Sequence, residues 1–356
     1  MPALYSKYKI FHYPEKLDSL PSYTKEILPP IHIRIKPTNV CGHSCWYCAY
    51  KADDLQLGKD MVKKDFIPLE KMLEIIDDAI EMKVKAITFS GGGEPFLYPH
   101  FIPTLKKLAA SSIKFSTLTN GSKLEGEAAE IFSHSGTWVR VSMDGWDDES
   151  YVKYRRTKYG EYTKIMNNMS NFKKLGGKCY LGVGLNIDKE NASHVYESLK
   201  KLKDVGIDSV KLSPCVVSND SKESGEYHKP FFESVKDQIQ KAKLYLQDDS
   251  FEIFDAYHEL DLKFKKDYTW CPYQQILHVI GADLNIYPCQ DKAYNLENGL
   301  IGSIKENRYK NFWMTNKTKF FKINPSKDCN NHCVANIKNE MVLDYLNVDS
   351  DHQMFV

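Results

Sequence analysis

The chain has 356 residues, 42% hydrophobic and 27% charged, with 48 Lys and Arg against 47 Asp and Glu. Its length suits one large α/β domain of barrel type with an appendage. A net charge of +1 excludes the basic surplus that draws most nucleic-acid binders to phosphate, so no nucleic-acid partner is expected. With no apolar run near the ~20 residues that cross a bilayer and no signal-peptide pattern at Met1–Lys7, no membrane association and a cytoplasmic location are expected.

From Ile31 to Pro214, short β-rich runs alternate with amphipathic stretches, the pattern of repeated βα units on a parallel sheet. Six strands are predicted: Ile31–Ile35, Ala86–Phe89, Ile113–Leu118, Trp138–Ser142, Tyr180–Ile187 and Ser209–Ser213. Helical spacing predicts helices over Leu69–Met82, Leu105–Ala110, Ala128–Phe132, Ile165–Leu175 and Val195–Val205. Six units are too few for a closed eight-unit barrel, so the fold class is α/β with a partial (βα)6 TIM-like barrel. Ser218–Ser224 reads as a loop and Tyr227–Leu246 as a charged helix. Beyond Trp270, Ile276–Ile280 and Leu284–Tyr287 read as a β-hairpin, Ser303–Met314 as a helix, and Asn339–Leu346 as a final helix. The predicted organisation is an extension over 1–30, a barrel over 31–217, a linker and helix over 218–265, and a smaller hairpin-plus-helix domain over 266–356.

Nine cysteines, with no export signal, argue against a disulfide framework. Seven of them cluster, and clustered thiolates are soft metal ligands. After the first strand come Cys41, Cys45 and Cys48. Three thiolates within eight residues can hold three corners of a cubic [4Fe–4S] cluster and leave one iron open. A structural zinc with His43 as fourth ligand is the alternative that the spacing leaves open.

This C-x3-C-x2-C loop resembles that of the radical S-adenosylmethionine (SAM) superfamily, with the aromatic Tyr47 before the last cysteine. The resemblance implies that Cys41, Cys45 and Cys48 hold the cluster, that SAM chelates its open iron, and that Tyr47 lies near the adenine. Gly91-Gly92-Gly93-Glu94-Pro95 follows the second strand; bare glycines there let backbone approach a ligand. By the same resemblance Gly91, Gly92, Gly93 and Glu94 meet the SAM ammonium. Thr119-Asn120-Gly121 ends strand three. Ser142-Met143-Asp144-Gly145 after strand four, followed by Arg155, resembles the element that contacts SAM's carboxylate or ribose, giving Ser142 and Arg155 that role. A planar guanidinium suits a carboxylate.

Cys271 and Cys289 flank the predicted hairpin, and Cys329 and Cys333 lie beyond it. Four ligands match one further cluster without an open iron. The arrangement resembles the SPASM extension in its shortened twitch form, which implies an auxiliary [4Fe–4S] cluster; zinc is again the alternative. Cys215, after strand six, is a candidate hydrogen-atom donor, against the plainer reading of a packing thiol. Cys179 reads as packing. The implied activity is reductive cleavage of SAM to a 5′-deoxyadenosyl radical that abstracts a substrate hydrogen, with a flavodoxin or ferredoxin as electron donor. Only about thirty residues precede strand one, which favours a sugar-like small molecule, oxidised or epimerised, over a peptide or protein substrate. A reading of another class is a non-catalytic Fe–S or zinc scaffold or electron carrier.

Overall fold

Short apolar runs between amphipathic helices pair in chain order. They form β1 (His32–Ile35), β2 (Ala86–Phe89), β3 (Lys114–Thr119), β4 (Trp138–Met143), β5 (Tyr180–Ile187) and β6 (Ser209–Pro214), each parallel to the next. These come from a computed structural model that describes residues 4–21, 26–51, 57–260 and 263–355. Of the expected N-terminal extension, residues 1–3 and 22–25 lie outside the described residues, as do 261 and 262 of the linker and 356 of the C-terminal region. The crossovers carry helices Leu69–Glu81, Phe101–Ala109, Gly126–Ser135, Glu161–Lys174 and Val195–Val205. Met72, Ile75, Ile76 and Ala79 show why: spacings of three and four residues put them on one buried face, in one core with Ile33, Ile87 and Val139.

The partial barrel therefore stands, with additions. A seventh strand, β7 (Glu252–Asp255), joins β6 in parallel; four residues with acids at both ends gave no strand signal. The hairpin, β8 (Leu277–Ile280) and β9 (Asn285–Tyr287), is not detached. β8 runs parallel to β1, and β10 (Gly302–Ser303) adds to β9, so ten strands make one sheet. Ile280, Ile286, Ile304 and Trp313 share the barrel's core. The boundary expected near residue 266 thus precedes a region that continues the barrel's sheet.

Four helical readings shift. Ser218–Ser224 is not all loop: Asp220 caps a helix at Ser221–His228 by accepting from the Glu223 N–H. The helix expected from Tyr227 to Leu246 breaks into that one and Phe232–Tyr245, with a tight turn at Lys229–Phe231 where Pro230 has no N–H to give. The helix expected from Ser303 is shorter, Tyr309–Met314, and the last one begins earlier, Asn336–Leu346. A helix at Asp148–Arg155, which no apolar period signals, is set by a capping box between Asp147 and Ser150.

Candidate active site

The first cysteine loop leaves the C-terminal end of β1, where open α/β sheets bind ligands. Each of its thiols has a donor suited to a thiolate. The His43 N–H points to Cys41 and the Tyr50 N–H to Cys48, each two residues on. Arg155 Nη1 lies 3.3 Å from Cys45 Sγ. Burial pushes the Cys41 and Cys48 thiols up, while the N–H groups and Lys51 oppose it. Anionic ligands, a cation and N–H donors form a donor set that fits a cluster of iron and sulfide. His43, the fourth ligand of the zinc alternative, has its Nε2 3.5 Å from Glu161 and its ring edge-on to Tyr151, while its Nδ1 is buried without a partner.

The capped Asp148–Arg155 helix brings its last residue back to this loop. Arg155 Nη2 lies 2.5 Å from Asp144 Oδ2, and both side chains are buried. Tyr47 donates its hydroxyl to the same Asp144 oxygen, and the guanidinium sits 5.6 Å from the Tyr47 and Tyr151 ring centres. Burial raises the Asp144 carboxyl, with Arg155 opposing. Tyr47 and Arg155 thus meet through Asp144, which the sequence reading had not singled out.

The Gly91–Gly93 segment also lets two stretches of backbone meet. A Cβ on Gly92 would stand 2.2 Å from Asn39 Oδ1, and one on Gly93 2.1 Å from the Val40 carbonyl. The glycines let two backbones touch: the Gly93 N–H donates to Thr38 O and the Glu94 N–H to Val40 O. They pin the segment to the approach of the cysteine loop. Glu94 is 2% exposed and already holds three donors, the Phe96 N–H at 3.2 Å, Thr119 Oγ1 at 2.6 Å and the Asn120 N–H at 2.7 Å. Burial raises its carboxyl despite these bonds. Ser90 Oγ, Asn120 Nδ2, Asp144 Oδ1 and Arg155 Nε are buried without a protein partner. The first three lie just past the ends of β2, β3 and β4, and Arg155 reaches the same place from its helix through Asp144, as a polar ligand seated on those ends requires.

In the second group, burial keeps the Cys289 thiol well above its ordinary range, with Asp291, Cys333, Cys271 and Cys329 acting in the same direction. The N–H two residues on recurs at Cys333, from Ala335, whereas the Tyr273 N–H donates to Asn339 Oδ1 at 3.0 Å and Cys271 has the Gln274 N–H beside it. Burial pushes Cys271 up to about 11, and Lys266 and Lys292 offset the effect at Cys329. Among the described residues, no three His, Cys, Asp or Glu are gathered tightly enough for a single metal ion. A four-iron cube spreads its ligands over four metals.

Lys36 and Tyr50, also unforeseen, bridge the two groups. Lys36 Nζ lies 2.8 Å from Tyr50 Oη and 2.6 Å from the Gly91 carbonyl, and Tyr50 donates to the Gln290 carbonyl at 2.6 Å. Burial lowers Lys36 to about 7, and Cys48 and Cys289 both act to raise it. Inside the sheet is a cavity of about 1120 Å³ lined by Tyr47, Ser142, Cys215 and Asp291 among others. Cys215 is 3% exposed; its carbonyl lies 2.9 Å from His228 Nε2, and burial keeps its thiol well above the ordinary range. Cys179 is buried at the opposite end of β5.

Residues 35–202 match the radical SAM superfamily. The chain carries a radical SAM domain. It is 27% identical over 306 residues to a cysteine-type anaerobic sulfatase-maturating enzyme of Clostridium novyi, covering 81% of this chain and 80% of that one. A GTP 3′,8-cyclase of Rhizobium etli is 30% identical over 42% of each chain. Among solved structures, Streptococcus suis SuiB bound to precursor peptide SuiA superposes with a TM-score of 0.62 at 15% identity, covering 89% of this chain and 72% of that one. A sulfatase-maturating enzyme, anSMEcpe with bound AdoMet, gives 0.58 at 20%, covering 82% and 83%. These likenesses show the fold. The radical SAM match over residues 35–202 brings with it SAM and a [4Fe–4S] cluster. No helix among the described residues is long and apolar enough to cross a membrane.

Proposed function

We propose that this radical SAM enzyme modifies a side chain of a peptide or protein. The carrying observation is the similarity to a sulfatase-maturating enzyme along four-fifths of both chains. The sugar-like substrate favoured by the short N-terminal extension has no comparable support. In this reading Cys41, Cys45 and Cys48 hold the SAM-binding cluster, and Cys271, Cys289, Cys329 and Cys333 hold the auxiliary one. With its clusters loaded, the enzyme supplies one electron to SAM, releasing methionine and a 5′-deoxyadenosyl radical that takes hydrogen from a substrate carbon.

The chain's own residues orient and enclose. Arg155 balances charge beside Cys45 and fixes Asp144, which holds Tyr47 at the rim where adenine would lie. Ser142, Asn120 Nδ2 and Ser90 Oγ offer polar contacts for SAM, and Glu94 sets their spacing by tying β2's end to β3's. The buried Cys215 thiol stays protonated, the form that can return a hydrogen atom. The test is anaerobic incubation with reductant, SAM and a library of peptides bearing Cys or Ser, read by mass spectrometry and by 5′-deoxyadenosine. A peptide that changes mass in step with 5′-deoxyadenosine is the expected result. 5′-Deoxyadenosine that rises with sugars or nucleotides and not with any peptide would overturn it.

A further inference from the structure

Well inside the two cysteine groups, the cavity wall has a charge unlike the rest of the molecule. Nine Lys and Arg and three Asp and Glu line it, whereas the chain as a whole is nearly neutral. Four of the cations stand on strands, Lys114 at the first residue of β3 and three within their strands: Arg34 on β1, Arg140 on β4 and Lys211 on β6. Their strands alternate, with Ile33 and Ile35, Val139 and Val141, and Val210 and Leu212 buried in the core while the basic residues line the cavity.

The space they border comes from β5, the strand between β4 and β6. Its residues Gly182 and Gly184 line the cavity without side chains, and Arg140 lies across the second, with its Cδ and Nε 3.8 Å from where a Cβ would be. Glycine inside a strand weakens it, and such positions mark close approach of another group. No carboxylate among the described residues comes within ion-pair distance of Arg34, Arg140 or Lys211. Arg34 gives one bond to Gln290 Oε1 and keeps its Nε buried without a partner. The cations repel one another: Arg140 lowers Arg34, and Arg140, Lys263 and Lys338 add to burial in lowering Lys211 to about 8. Of the three acids at the wall, Glu259 pairs with Lys263 and Asp255 with His258, while Asp291 offsets part of the charge of Arg34 without reaching ion-pair distance. Unpaired cations at a desolvated wall are costly unless an anion completes them.

We propose that this wall is an oxyanion subsite, in which Arg34, Arg140 and Lys211 receive a carboxylate or phosphate of the substrate. It rests on the reading that this enzyme modifies a peptide or protein, a side chain of which would enter this cavity, and adds what the substrate carries: a negative group, carboxylate or phosphate.

The test is calorimetric titration of the cluster-loaded enzyme with hexaglutamate, hexaglutamine and inorganic pyrophosphate, repeated with R140Q/K211Q and R140K. Hexaglutamate or pyrophosphate should bind, hexaglutamine should not, and R140Q/K211Q should weaken binding about tenfold or more, since two charged donors are lost. R140K should keep most of the affinity. R140Q/K211Q should melt no lower than the parent, because removing mutual repulsion does not cost stability; a merely structural role would lower it. Binding of hexaglutamate alone assigns a carboxylate and of pyrophosphate alone a phosphate, and either supports the subsite. It is overturned if neither anion binds, if hexaglutamine binds as well as hexaglutamate, if R140Q/K211Q retains affinity, or if affinity is lost together with the fold and R140K does not restore it. Anion binding by an enzyme that makes no 5′-deoxyadenosine would instead remove the radical reading and leave the subsite. Cleavage without anion binding would do the reverse.

Discussion

Cys41, Cys45 and Cys48 come from one loop, whereas Cys271, Cys289, Cys329 and Cys333 are drawn from three segments around a hairpin and two helices. The first loop is shaped by close backbone contact with Gly91–Gly93 and by one distant residue, Arg155. The second group needs β8 paired to β1 and the Asn336–Leu346 helix in place, where Asn339 Oδ1 lies 3.4 Å from Cys271 Sγ. A local site depends on chain direction over a few residues; a dispersed one depends on the tertiary fold and on entropy already spent in forming it. Both use the same device, an N–H two residues after the cysteine, and Lys36 and Tyr50 join them.

The largest expected effect breaks the local site alone. Replacing Cys41, Cys45 and Cys48 together with Ala should abolish 5′-deoxyadenosine formation and remove about four irons per chain, leaving about four in the second site. Iron analysis and chromatography of the reaction check this. Cys289→Ala sharpens the comparison from the other side: iron should again halve, yet SAM cleavage should persist, because the first loop draws no ligand from the hairpin. Loss of both clusters on that change would show that the two sites fold as one unit.

Gly93→Ala acts on the first loop without touching a thiol. Its Cβ would meet the Val40 carbonyl at 2.1 Å, so backbone must move. The expected cost is about 1–3 kcal/mol in denaturant unfolding, with weaker SAM binding. The smallest effect concerns the second region's support. His278 on β8 is fully buried, stacked at 4.4 Å on Trp313, and desolvation lowers it to about 3. Between pH 6.5 and 3 the unfolded chain binds the proton and the folded one does not, so stability falls as pH drops below 6.5. His278→Phe should shrink the stability difference between about pH 7 and pH 5 by about 2 kcal/mol, measured by urea unfolding at both values.

Much of this was legible in the sequence for physical reasons. The six barrel strands and the helices between them follow from periodicity, and the cysteine and glycine motifs sit on strand ends as read. What escaped depends on partners distant in the chain. Asp144 and Lys36 gain meaning only when Arg155, Tyr50 and Gly91 fold onto them. The glycines were read as approach to a ligand; that Gly92 and Gly93 also make room for Asn39 and Val40 shows only in the folded chain. One signal was present and unused: His-Ile-Arg-Ile, Trp-Val-Arg-Val-Ser and Val-Lys-Leu-Ser alternate in strands that a parallel barrel core would make continuously apolar. That alternation marks the charged cavity wall. The Asp148–Arg155 helix likewise carries its signal in the Asp147–Ser150 cap and not in its apolar residues.

The most direct measurement is electron paramagnetic resonance of the reduced, cluster-loaded enzyme with and without SAM, in a Cys289→Ala background that isolates the first site. The account predicts that SAM changes the signal, because an iron with only three protein thiolates around the cube is open to it. An unchanged signal at saturating SAM would contradict the assignment of Cys41, Cys45 and Cys48 and the chemistry built on it.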